Sequence, residues 1–146
     1  MMGAMADETE RPSRESIIGS QATYDSFHFA EATRAGDTVW VSGQRGFDED
    51  GAIADDPAEQ ARVTFRNLER RLRQAGAALE DVVLLTSYHV SMADFNGFLA
   101  VKDEFIRPPY PAWTAVGVPA LVDPKMLIEV AAVAVVGSGR GARVRG

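Results

Sequence analysis

The sequence predicts an α/β sandwich, one mixed sheet of about six strands with two helices packed on one face. Two stretches, from Asp56 to Gly76 and from Asp94 to Ile106, carry apolar residues at helical spacing. Around them lie runs rich in β-branched and aromatic residues, "TVWVSG", "DVVLLTSYHVSM" and "MLIEVAAVAVV". The order, β-β(-β)-α-β-α-β-β, shows no internal repeat and no domain boundary, so the domain is expected over residues 17–137.

Residues 1–16 are polar and without hydrophobic period, and read as a flexible tail. "SFHFAEATRAGDTVWVSGQRG" reads as two strands joined by a turn at Ala35-Gly36-Asp37. The first helix has Asp56 as N-cap, Pro57 at its first position, Glu59 placed for a capping box and Gly76 as its stop. Its residues Ala61, Phe65, Leu68, Leu72 and Ala75 form an apolar stripe, and its arginines are read as a solvated face. The second helix is capped by Asp94 and stopped by Pro108 and Pro109, with Phe95, Phe98, Leu99, Phe105 and Ile106 toward the core. "AWTAVGV" and "MLIEVAAVAVV" are read as a closing pair of strands, and 138–146 as a flexible basic tail.

At 146 residues and 46% hydrophobic content, the chain has the size of one globular domain. A net charge of -6 repels phosphate backbones, so a nucleic-acid partner is not expected. The absence of cysteine excludes disulfides, thiolate nucleophiles and cysteine-ligated metals. His28 and His89 lack metal-ligand spacing and are read as structural residues on strands. No stretch approaches the ~20 apolar residues of a membrane span, and the opening residues lack the apolar run of a signal peptide, so a cytoplasmic location is expected.

The last strand alternates Met126, Ile128, Val130 and Ala132 on one side with Leu127, Ala131, Val133 and Val135 on the other. Two helices cover only one face of a sheet, so copies of the chain are expected to cover the second. Glu129 interrupts this run. A buried carboxylate without a partner costs several kcal/mol, so it must lie against the helices with compensation or in a seam between subunits.

"VWVSGQRGFDEDG", "LRQAGAALEDVVLLTSYHVSMADF" and "YPAWTAVGV...PKMLIEVAAVAV" resemble the Rid family, also called RidA or YjgF and known as endoribonuclease L-PSP. The resemblance covers about residues 20–136. It implies a chorismate-mutase-like fold, a homotrimer with clefts between subunits, and cofactor-free and metal-free hydrolysis of enamines and imines such as 2-aminoacrylate. In such proteins an arginine in "P-A-R-S" clamps the substrate carboxylate, and a glutamate on the last strand handles a water.

Carried over by position, Glu129 falls on the catalytic glutamate, and Ser42 and Gly43 on the "SG" lining the cleft. The arginine falls on Trp113, since the chain reads "PAWT", with Thr114 beside it and Ala115 two residues on. Phe29 stands for the tyrosine of the first strand, and Lys102 for a helix asparagine. These substitutions imply a ligand other than 2-aminoacrylate. A charge-assisted hydrogen bond contributes about 1.5–3 kcal/mol, so losing the clamp disfavours a free α-carboxylate unless Lys102, Arg107 or Arg45 replaces it. Arg45 and Arg107 are read as solvated, and Glu31 as an exposed strand acid. The implied function is imine or enamine hydrolysis with Glu129 activating water. The alternative is a non-catalytic trimer that binds a small apolar molecule against Trp113 and Phe29. Ribonuclease activity fits poorly with an acidic chain lacking a histidine pair.

Overall fold

The computed structural model describes residues 13–146, so residues 1–12 of the expected tail lie outside the described residues. The elements are β1 (Arg14–Ile17), α1 (Gln21–Phe27), β2 (Ala32–Ala35), β3 (Thr38–Gln44), α2 (Pro57–Gln74), a single 3-10 turn (Leu79–Asp81), β4 (Val82–His89), α3 (Phe95–Phe105), β5 (Ala112–Gly117) and β6 (Ile128–Val135). One six-stranded sheet runs in the order β1-β2-β3-β6-β4-β5. Only β4 and β5 are parallel; every other neighbour is antiparallel.

Both expected helices form, but only the first on its cap: Asp94 stands at the N-cap position of α3 with no side-chain capping bond. Asp56 caps α2 by accepting a 3.0 Å bond from the Glu59 N–H, with Pro57 following it. The Glu59 carboxylate does not reach back to complete a capping box; it pairs instead with Arg62 and Arg66. Gly76 follows the helix with φ of 85°, a backbone region open to glycine at little cost. Ala61, Phe65, Leu68, Leu72 and Ala75 are all buried. Phe65 stacks on Phe105 at 5.3 Å and packs against the tilted ring of Phe98 at 5.7 Å, joining α2 to α3.

The first fifteen described residues depart from expectation. Arg14, Glu15 and Ser16 belong to a strand paired with β2 rather than to a tail. "SF" of the expected first strand ends α1 instead. Ser20 starts that helix by accepting from the Thr23 N–H at 3.1 Å, and His28 ends it with φ of 58°. His28 is therefore a helix cap and not a strand residue. At the other end, Ser138 and Gly139 are tied to Asp81: its carboxylate accepts from Gly139 N–H at 3.0 Å and its carbonyl from the Ser138 hydroxyl at 3.3 Å. The expected C-terminal tail is thus anchored at its start.

β5 and β6 are not a pair. β6 lies between β3 and β4, while β5 is the edge strand beyond β4. Apolar alternation tells which face a residue takes, not which strand lies next to it. On β6, Ile128, Val130, Ala132 and Ala134 are buried under the helices, while Glu129, Ala131, Val133 and Val135 line the other face at intermediate exposure. That open face also carries Trp40, 47% exposed, opposite Val133. Its apolar character is what the sequence pattern required.

Candidate functional site

The residues singled out in the sequence form three groups. The first lies on the open face. Val41 of β3 stands opposite Ala132, and Gln44 opposite Val130, so Ser42 and Gly43 together oppose one residue of β6. This is a β-bulge, a device that re-aims side chains and is frequent beside active sites. Glu129 folds its carboxylate over the bulge: a Cβ on residue 43 would lie 2.6 Å from its carboxyl carbon and 2.8 Å from Oε1. Gly43 is glycine because the acid occupies that space.

Ser42 has no free donor for a ligand. Its N–H donates to the Glu31 carbonyl at 2.9 Å, and its hydroxyl donates to the Ala30 carbonyl at 2.7 Å. Its two donors are thus spent on the β2 side, where they fix the bulge. Glu129 is half-buried, stands opposite Tyr88 of β4, and takes part in no salt bridge among the described residues. Its position on the open face resolves the question of cost: within one chain the carboxylate is not sealed in the core. Thr114, opposite Thr86 of β4, shares this face and is exposed.

The second group lies at the sheet edge, on the opposite face. Trp113 stands beside Leu85, which is fully buried under the helices. Its ring stacks on Phe95 at 5.6 Å, and its indole N–H donates to the Ser87 hydroxyl at 2.9 Å. Ser87 in turn lies 2.8 Å from His89 Nε2. Lys102, 6% exposed, sets its Nζ 4.7 Å from the Trp113 ring and 5.5 Å from the Tyr110 ring, favourable positions for a cation over an aromatic face. Lys102 and Trp113, with Leu99 and Tyr110, line a cavity of about 330 Å³. Ala115 shares the register face of Trp113.

Within one chain, therefore, Trp113 does not face Glu129. The two residues are on opposite faces of the sheet, and no rotamer change within the chain brings them together.

The third group surrounds Phe29. It lies in a cavity of about 600 Å³ with Glu31, Gln44, Arg45, Asn67, Arg70 and Arg71. Glu31, read as an exposed acid, is 6% exposed. It lies 3.5 Å from Arg45 Nη2 and 3.9 Å from Arg71 Nε, and accepts from the Gln44 amide at 2.9 Å. Arg45, read as solvated, is thus part of a buried cluster; Arg107 is exposed, as expected. The sequence held a signal that went unread: Gln60, Thr64, Asn67 and Arg71 recur at helical spacing beside the apolar stripe of α2. Gln60 and Asn67 splint loop backbone, Gln60 accepting from Leu127 N–H at 2.6 Å and Asn67 donating to the Arg45 and Phe47 carbonyls at 2.7 and 2.9 Å.

Among the described residues, no helix is long and apolar enough to cross a membrane. Residues 20–136 match the model of a family described as endoribonuclease L-PSP. The RutC family protein YjgH of Escherichia coli is 41% identical over 102 residues, covering 68% of this chain and 78% of that protein. The 2-iminobutanoate/2-iminopropanoate deaminase of Homo sapiens is 30% identical over 112 residues, covering 75% of this chain and 80% of that one. Among solved structures, Rv2704 of Mycobacterium tuberculosis, a member of the YjgF/YER057c/UK114 family, superimposes with a TM-score of 0.77 at 31% identity, covering 85% of this chain and all of that chain.

Proposed function

The chain belongs to the endoribonuclease L-PSP family, also known as Rid or YjgF, and on that premise we propose that it hydrolyses a small imine, enamine or similar electrophile at Glu129. One observation carries the reading. The Glu129 carboxylate is held by close fit over the Gly43 bulge, outside any salt bridge among the described residues, on the sheet face that the chain leaves open.

A water held against Glu129 gives a proton to the carboxylate as its oxygen bonds to the imine carbon, and the C=N π pair passes to nitrogen. The carboxyl returns that proton to the nitrogen. Glu129 then takes the hydroxyl proton of the carbinolamine and passes it to the nitrogen, so the C–N bond breaks with ammonia leaving as the C=O bond forms. Positioned proton transfer of this kind contributes about 10²–10⁴-fold to rate. The Gly43 N–H stabilises developing charge.

The cleft is completed by another copy of the chain, as a homotrimer. The open face supports this, because Trp40, Ala131 and Val133 leave a contiguous apolar surface uncovered. In that assembly the edge carrying Trp113, Lys102 and Phe95 of one copy approaches the Glu129 face of the next. The substrate differs from 2-aminoacrylate, since Trp113 offers a packed apolar wall where a carboxylate would need a guanidinium fork.

The test is ammonia release from imines generated in the assay by an amino-acid oxidase, and from 2-aminoacrylate generated by a lyase. Turnover of an accepted imine should fall at least about a hundredfold in Glu129→Gln. Unchanged turnover in that variant removes the mechanism, and efficient 2-aminoacrylate deamination removes the substrate assignment. A binding-only reading is favoured by one observation: in the Lys102–Trp113 cavity the lining carboxylate, Asp103, is paired with Lys102 at 3.4 Å, and the remaining walls are aromatic and aliphatic. Saturable binding without consumption of the ligand would support it.

A further inference from the structure

The cavity beside α2 is a site of different chemistry from the Glu129 face. Three guanidinium groups, those of Arg45, Arg70 and Arg71, line it. The carboxylate shared within the buried cluster is Glu31 alone, contacted by both Arg45 and Arg71. The other acids at the cavity, exposed Asp48 and half-buried Asp123, each hold their own turn through one oxygen: Asp48 accepts from the Asp50 and Ala52 N–H groups at 2.9 Å, and Asp123 from Lys125 N–H at 2.8 Å. Arg70 donates to the neutral amide oxygen of Asn67 at 2.7 Å. Donors therefore exceed acceptors. The Nε–H groups of Arg45 and Arg71 are buried with no acceptor, an arrangement that costs about 1–3 kcal/mol per group where nothing supplies one. Burial holds the Arg71 guanidinium below the usual arginine range; Glu31 offsets this in part, and repulsion from Arg70 and Arg45 adds to it.

The remaining walls are aromatic. Phe29 and Phe47 each lie 5.8 Å from the Arg45 guanidinium carbon, and Phe27, 71% exposed, stands at the mouth. A cavity of about 600 Å³ with cations inside and flat apolar rims suits a ligand with one anionic end and a flat apolar body. Planar guanidinium groups favour the planar carboxylate in such pairing.

We propose that this cavity is a binding site for an aryl monocarboxylate, with Arg45, Arg70 and Arg71 receiving the carboxylate and Phe27, Phe29 and Phe47 receiving the ring. The site does not depend on Glu129, and the Glu31 carboxylate acts in it as a built-in competitor for the same arginines.

The full chain should be titrated calorimetrically with benzoate, benzamide and inorganic phosphate. Saturable binding of benzoate at one site per chain is expected, with benzamide and phosphate each at least about tenfold weaker, the equivalent of one charge-assisted hydrogen bond or one buried ring face. Arg71→Met should weaken benzoate at least about tenfold. Glu31→Gln should tighten it and should raise the thermal shift that benzoate produces above that of the unaltered chain. This gain is a result that simple loss of folding would not give. Glu129→Gln should bind benzoate unchanged, so failure of the hydrolase reading leaves this one standing, and the reverse. The proposal is overturned if benzamide or phosphate matches benzoate, if folded Arg71→Met binds normally, if Glu31→Gln gains nothing, or if Glu129→Gln abolishes binding.

Discussion

The two faces of β6 use the same residue types for opposite ends. Toward the helices, Ile128, Val130, Ala132 and Ala134 are buried among Phe65, Leu68 and Leu72 and need nothing beyond this chain. Toward the open side, Ala131, Val133 and Val135 are as apolar but only half-covered, and Glu129 stands among them. Hydrophobicity along the strand does not separate stability from function; the difference lies in whether the chain itself supplies the cover. Burial of apolar surface contributes about 25 cal/mol per Å² wherever the cover comes from, so within one chain the open face leaves that contribution unrealised.

This contrast can be broken or sharpened by four measurements. The largest effect belongs to the covered face: Phe65→Ala should cost about 3–5 kcal/mol in urea denaturation, since the ring is fully buried between Phe98 and Phe105. A smaller loss would mean that the helical layer is loosely packed. Next is Gly43→Ala, whose new methyl would meet the Glu129 carboxyl group. It should cost about 1–3 kcal/mol by overpacking, and the pairing with Glu129→Ala should recover most of it. Additive losses would show that the acid and the glycine do not share that space.

The third measurement is stability against pH. Burial holds the His89 imidazole below its ordinary value of 6.5. The unfolded chain then takes up the proton first, so this contribution is complete above about pH 6.5 and is lost as pH falls from there toward the folded-state value. The slope is at most about 1.4 kcal/mol per pH unit, and His89→Gln should flatten it. The smallest effect on the chain itself should come from Trp40→Ser on the open face, about 0.5 kcal/mol or less once the chains are separated. Sedimentation of the same variant should nevertheless report a loss of assembly, and unchanged assembly would detach Trp40 from the seam.

How far this could be read from sequence depended on where each signal lay. α2 was legible to its caps because Asp56, Pro57 and Gly76 act on their own neighbours. The two-sided β6 was legible because alternation is local. The insertion of β6 between β3 and β4 was not, nor the parallel edge strand, because these pairings join residues tens of positions apart. For the same reason the opposite faces of Trp113 and Glu129 are not legible: sequence gives parity within a strand, while the face of one strand relative to another depends on register. Arg71 and Arg45 read as solvated because their partner, Glu31, lies on another element and was itself taken for a surface acid. The family resemblance reached the fold, but matching a residue to a motif carries no statement about which subunit or face it serves.

The bulge at Ser42–Gly43 has a further reach. Val39 and Val41 point toward the helices, and strict alternation would send Gln44 to the open side. The extra residue reverses that parity, which is why Gln44 is buried opposite Val130 and can donate to Glu31. One inserted position thus serves as a mechanical coupling between the acid on one side of the sheet and the arginine cavity on the other. Shortening the strand by that single residue would vacate the seat of Glu129 and withdraw Gln44 from its partner in the same step, a linkage carried by the backbone of a seven-residue strand that a side-chain change at Glu129 alone leaves intact.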